Sequence, residues 1–119
     1  MKKQKVSEMV IDCAWDFIKL GHTLAERRNR LNSACTAWNY ACVPETVRTE
    51  LLDKYLVEYR KWNPDVDADE CRTVREQMES LVQEKLKKYP HVLRQIISCE
   101  LIVVDGQERL NVAFVSENV

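Results

Sequence analysis

The sequence predicts an α+β fold that is mostly α: an antiparallel bundle of about four helices followed by a C-terminal β-hairpin. Three observations carry this. From Ser7 to Tyr89, apolar residues recur at three- and four-residue steps, the period of a half-buried helix. Gly21, Pro44 and the Asn63-Pro64 pair break that pattern into four segments. Beyond Pro90 two β-branched runs flank Asp105-Gly106, a pair suited to a tight hairpin turn. At 119 residues the chain reads as a single domain over 1–119, large enough for a core without covalent staples.

The first helix is expected over about 7–20. Val10, Cys13, Ala14, Phe17 and Leu20 make one stripe, and Ile11, Trp15 and Ile18 a second, so cover on two sides is expected. Gly21 is the expected stop, in the left-handed position that favours glycine. Thr23-Leu24-Ala25-Glu26 then fits a capping box and starts a second helix over about 23–42. Its buried face should hold Leu24, Leu31, Cys35, Trp38 and Cys42, with Ala34 and Ala41 allowing close approach.

Pro44 ends that helix and opens the next, over about 44–62, where Val47, Leu51, Tyr55, Tyr59 and Trp62 share a face with Leu52 and Leu56. The acidic linker 65–70 leads into a fourth helix over about 67–89. Cys71, Val74, Met78, Leu81 and Lys85 line one face, and Lys85, Lys87 and Lys88 in the last turn suit the helix dipole. Hairpin strands are expected over about 95–104 and 109–116. In the first, Ile97, Cys99, Leu101 and Val103 alternate with Ile96, Ser98, Glu100, Ile102 and Val104, so both faces carry aliphatics.

A two-stranded ribbon is marginal alone, and a second apolar face needs a second cover. The expected partner is a second copy, as a homodimer through the hairpin, or another protein's strand. Trp62, Ile96, Ile102 and Val104 are the candidate interface residues.

Composition narrows the chemistry. A net charge of −1 marks no nucleic-acid coat, and two glycines leave no phosphate-cradling loop. The five cysteines are odd in number and none has C-x-x-C spacing, so they read as buried reduced thiols and suggest a cytoplasmic setting. Lys2, Lys3 and Lys5 resemble the start of a signal peptide, but Glu8, Asp12 and Asp16 interrupt any apolar core. No run reaches the length of a membrane span, so no membrane is expected as a partner.

Four constellations stand out. Arg27, Arg28, Asn29, Arg30 and Asn32 on the second helix have the residue types that fork onto phosphates and read bases, and Lys2, Lys3 and Lys5 would extend them. The plainer reading is a solvated face with ion pairs. Asp65, Asp67, Asp69 and Glu76 match calcium-loop spacing. Glu70 stands where that loop needs glycine and Arg72 where it prefers an aliphatic, so no metal is expected and an acidic helix cap is. His22 and His91 adjoin breaks, far in sequence from the cysteines, and promise no Cys–His pair. Asn32, Thr36 and Asn39, beside Tyr40, form a polar line suited to packing against a neighbouring element.

No catalytic constellation and no cofactor follow from these residues. The expected function is a small binding or regulatory protein that works through a protein–protein surface as a homodimer. The alternative is a nucleic-acid-binding factor using Arg27 to Asn32, and an enzyme ranks last.

Overall fold

A computed structural model describes residues 6–114. Four helices, α1 (Val6–Ile18), α2 (Leu24–Ala41), α3 (Glu45–Trp62) and α4 (Ala68–Lys88), precede an antiparallel hairpin of β1 (Ile96–Val104) and β2 (Gln107–Phe114). The fold is α+β and mostly α. No helix among the described residues is long and apolar enough to cross a membrane. Lys2, Lys3, Lys5 and the expected strand end at 115–116 lie outside the described residues.

α2 is the centre of the molecule. It packs on α1, α3, α4 and β1, and it buries Leu31, Ala34, Cys35, Ala37, Trp38 and Ala41. The three buried alanines let neighbouring backbones approach, while Leu31 and Trp38 fill the space between them. Full burial of a side chain such as Leu31 or Ile18 contributes roughly 1.5–3 kcal/mol each. Leu24 and Cys42 pack only at the margin of this core.

Local signals set the helix ends. The Thr23 hydroxyl accepts from Glu26 N at 3.1 Å, and the Glu26 carboxylate accepts from the Thr23 and His22 amides at 3.1 and 2.6 Å, a complete capping box. Those two amide bonds lower the Glu26 pKa below its ordinary value. The Asp67 carboxylate caps α4 by accepting from Glu70 N at 2.8 Å, and Asp69 pairs with Arg72. Arg48 donates to the Tyr40 and Val43 carbonyls and so satisfies the end of α2.

Gly21 is glycine for a different reason than expected. Its φ is not in the left-handed region, where Gly106 is the one glycine. A Cβ at Gly21 would lie 2.7 Å from Arg27 N and 3.0 Å from Glu26 C. The first turn of α2 is seated directly against it.

Two faces are less covered than expected. α1 buries Val6, Val10, Ala14 and Ile18, but Ile11, Trp15 and Leu20 of its apolar set remain exposed. α3 touches only α2 and α4 and buries one side chain, Leu52. Its Val47 and Trp62 lie in solvent, and Tyr55 and Tyr59 are half-buried.

The hairpin turns through Asp105 (φ 52°) and Gly106 (φ 78°), the two positive angles of a type I′ turn. β1 carries one extra residue between Ile96 and Ser98, opposite Phe114 and Ala113. That bulge shifts the alternation by one. Ile96 therefore lies in the core with Leu101, not on the outer face with Ile102 and Val104 as expected.

Candidate partner-binding surface

β1 lies along α2, and the polar line of that helix receives it. Arg28 Nε donates to the Leu101 carbonyl at 3.0 Å. The Cys99 thiol donates to Asn32 Oδ1 at 3.4 Å. Asn39 takes both backbone groups of Ile96, accepting its N–H at 2.6 Å and donating to its carbonyl at 2.8 Å. The Cys42 thiol faces the Val92 and Arg94 carbonyls at 3.8 and 3.9 Å. Positions 28, 32, 39 and 42 share one side of a helix, so a single face of α2 stands where a neighbouring strand would. This is one way a sheet edge is withdrawn from solution.

β2 packs on α1, but among the described residues no such hydrogen-bonding face runs along its outer edge. Among the described residues the sheet has two strands, which leaves the far edge of β2 without a hydrogen-bonded neighbour. A two-residue turn makes Val104 and Gln107 the hydrogen-bonded closing pair. Alternation from there directs the N–H and C=O of Glu108, Leu110 and Val112 outward to the free edge. β2 contains neither proline nor lysine, residues that commonly blunt an edge.

Beside this strand runs an apolar groove of about 200 Å³, lined by Ile11, Trp15, Ile18, Leu31, Leu101 and Leu110 with Glu108 at its rim. Trp15 is 42% exposed and Ile11 38%. A second depression, of about 250 Å³, opens on the other side of Leu31 and Leu101 between Arg28, Asn32, Cys99 and Ile102.

The sequence-predicted arginines are all engaged within the chain. Arg27 forks onto the Glu108 carboxylate, with Nε at 2.9 and 3.0 Å from its two oxygens, and also donates to the Gly21 carbonyl at 3.0 Å. Hydrogen bonding to Glu108 raises the Arg27 pKa. Arg30 donates to the Phe17 carbonyl at 3.1 Å and lies over the Phe17 ring at 4.7 Å, closing the end of α1. Asn29 is exposed and, with Arg30, Tyr55 and Tyr59, borders a cleft of mixed lining, about 470 Å³, between α2, α3 and α4.

The expected interface residues do not form one patch. Trp62 is 77% exposed at the end of α3, a helix that does not touch the hairpin. Ile96 is buried, whereas Ile102 is half-buried and Val104 exposed on the outer hairpin face. On that face Ile102 stands opposite Arg109, and Glu100 opposite Asn111, so it is mixed rather than apolar. The surface the sequence reading missed is Ile11 and Trp15 beside Leu110. Its signal was the second apolar line of the first helix, one stripe more than a single neighbour can cover.

No protein-family model, curated protein or solved structure matches this chain.

Proposed function

We propose that this chain is a protein-binding domain that accepts a β-strand along the free edge of β2, and that the strand is β2 of a second copy. One observation carries the reading: a strand edge with no paired neighbour among the described residues runs beside exposed Ile11 and Trp15. A strand added there gains main-chain hydrogen bonds from Glu108, Leu110 and Val112, while its inward side chains cover the groove. Two β2 edges related by a two-fold axis meet antiparallel, and each subunit offers the other the same surface. A reducing, cytoplasmic setting suits five unpaired thiols.

Light scattering on the purified chain tests this. The expected mass is twice 14.0 kDa, returning to 14.0 kDa for Trp15→Glu, which places a charge in the groove without disturbing the core. A wild-type mass of 14.0 kDa at high micromolar concentration overturns the dimer.

A further inference from the structure

Cys35 and Cys99 come from distant parts of the chain and meet where β1 crosses α2. Their placement is bracketed on both sides. Arg28 holds Leu101 on one side of Cys99, and Asn39 holds Ile96 on the other. Between those anchors the α2 positions facing Cys99 are Asn32, which accepts its thiol proton at 3.4 Å, and Cys35 one turn further on. Positions 28, 32, 35 and 39 lie on one face of α2, so Cys35 faces β1 between the Asn32 and Asn39 contacts, and each of the two thiols shifts the titration of the other. Cys35 is buried beneath the hairpin, whereas Cys99 lines the open depression with Arg28, Asn32 and Ile102. One sulfur is reachable and the other waits behind it.

We propose that Cys35 and Cys99 are a thiol pair that a low-molecular-weight disulfide, such as glutathione disulfide, converts reversibly into a cross-link between α2 and β1. Cys99 is the attacking group. As thiolate it attacks one sulfur of the small disulfide, whose S–S bond breaks and releases one thiolate. Cys35 then gives up its proton to a released thiolate and attacks the Cys99 sulfur. The mixed disulfide breaks and the second small thiol leaves. Two protein thiols are oxidised to one disulfide, the small disulfide is reduced to two thiols, and both protons end on those thiols.

The two environments suit these roles. The neighbouring Cys35 thiol, as a donor, lowers the Cys99 pKa, which raises the thiolate fraction at neutral pH. The same contact and burial push the Cys35 thiol up, so it remains the protonated partner until a leaving thiolate takes its proton. Cys13 and Cys42 are raised by burial, Cys13 to about 11, which leaves them poorer nucleophiles. The cross-link would tie the hairpin to the helix that seats it. The pair stands independently of whether β2 takes a partner strand.

The test is exposure of the reduced chain to glutathione disulfide at mildly alkaline pH, followed by intact mass and non-reducing peptide mapping. The expected product is lighter than the reduced chain by two hydrogen atoms, with a Cys35–Cys99 cross-link that dithiothreitol reverses. A chain with Cys13, Cys42 and Cys71 changed to serine should form the same product, and Cys99→Ser should not. A glutathione adduct that persists on Cys99, a different cross-link, or no change in mass at Cys99 would each overturn the proposal. Mapping of the wild-type chain decides this even if a serine variant fails to fold.

Discussion

The Asn39 amide holds Ile96 by both of its backbone groups, at 2.6 and 2.8 Å, at the residue where the bulge interrupts the β1–β2 ladder. A single side chain thus supplies the donor and acceptor that the strand loses, beneath an isoleucine that is 6% exposed. Asn39→Leu keeps the branched shape but leaves both groups unpaired. The expected cost is about 2–3 kcal/mol in urea unfolding, from two desolvated and unsatisfied groups.

Gly21 and Gly106 should respond to alanine for opposite reasons. At Gly21 the added carbon meets backbone atoms of the α2 first turn, so Gly21→Ala should cost about 1–3 kcal/mol through displacement of that helix. At Gly106 the space is open and the angle is the difficulty. Gly106→Ala should cost about 1–2 kcal/mol, and Gly106→Asn less, since asparagine tolerates the left-handed region. Thermal unfolding of the three variants separates the mechanisms.

Lys85 is 1% exposed, with its Nζ donating to the Val92 carbonyl and lying 5.2 Å from the Trp38 ring. Burial pulls its pKa below the ordinary 10.5; Arg48 adds to this, and the Cys42 and Cys13 thiols oppose it. Between the lowered pKa and 10.5 the unfolded chain holds a proton that the folded chain has shed. In that window the unfolded state binds more protons, so stability rises with pH on this account. The stability of wild type relative to Lys85→Met should therefore increase as pH climbs toward 10.5. A flat difference across that range would refute the assignment.

Arg27 and Glu108 join the start of α2 to β2 across the molecule. Arg27→Ala and Glu108→Gln should each lower the melting temperature, and the double variant should lose little more than either alone. Salt should weaken the pair. Additive losses in the cycle would show that the two side chains act separately. Generic DNA offered at low salt should gain no affinity from Arg27, since its guanidinium is already forked onto a carboxylate.

What the chain declares locally, it declares well. The capping box at Thr23 and Glu26, the Asp67 cap and the type I′ turn at Asp105-Gly106 each depend on residues within four positions of one another. Their chemistry is complete before any tertiary contact forms. The arginine cluster was legible as a set of residues but not as a clamp, because Glu108 and Leu101 are more than seventy positions away. Periodicity likewise marked Ile11 and Trp15 as apolar without saying that the hairpin would leave them partly exposed.

The sequence by itself determined the four helices, the caps at Thr23 and Asp67, the hairpin and its turn, because period, capping and turn chemistry are short-range. Tertiary structure alone decided that Ile11 and Trp15 of α1 stay exposed while Ile18 is buried, and why Gly21 must lack a side chain. It also decided that a bulge turns Ile96 inward, that Lys85 is buried, and that the α2 face carrying Cys35 seats the strand carrying Cys99. Each of these depends on which surface a distant segment occupies. Burial and pairing are settled by close packing among elements, whereas a helix or a turn is settled within its own few residues.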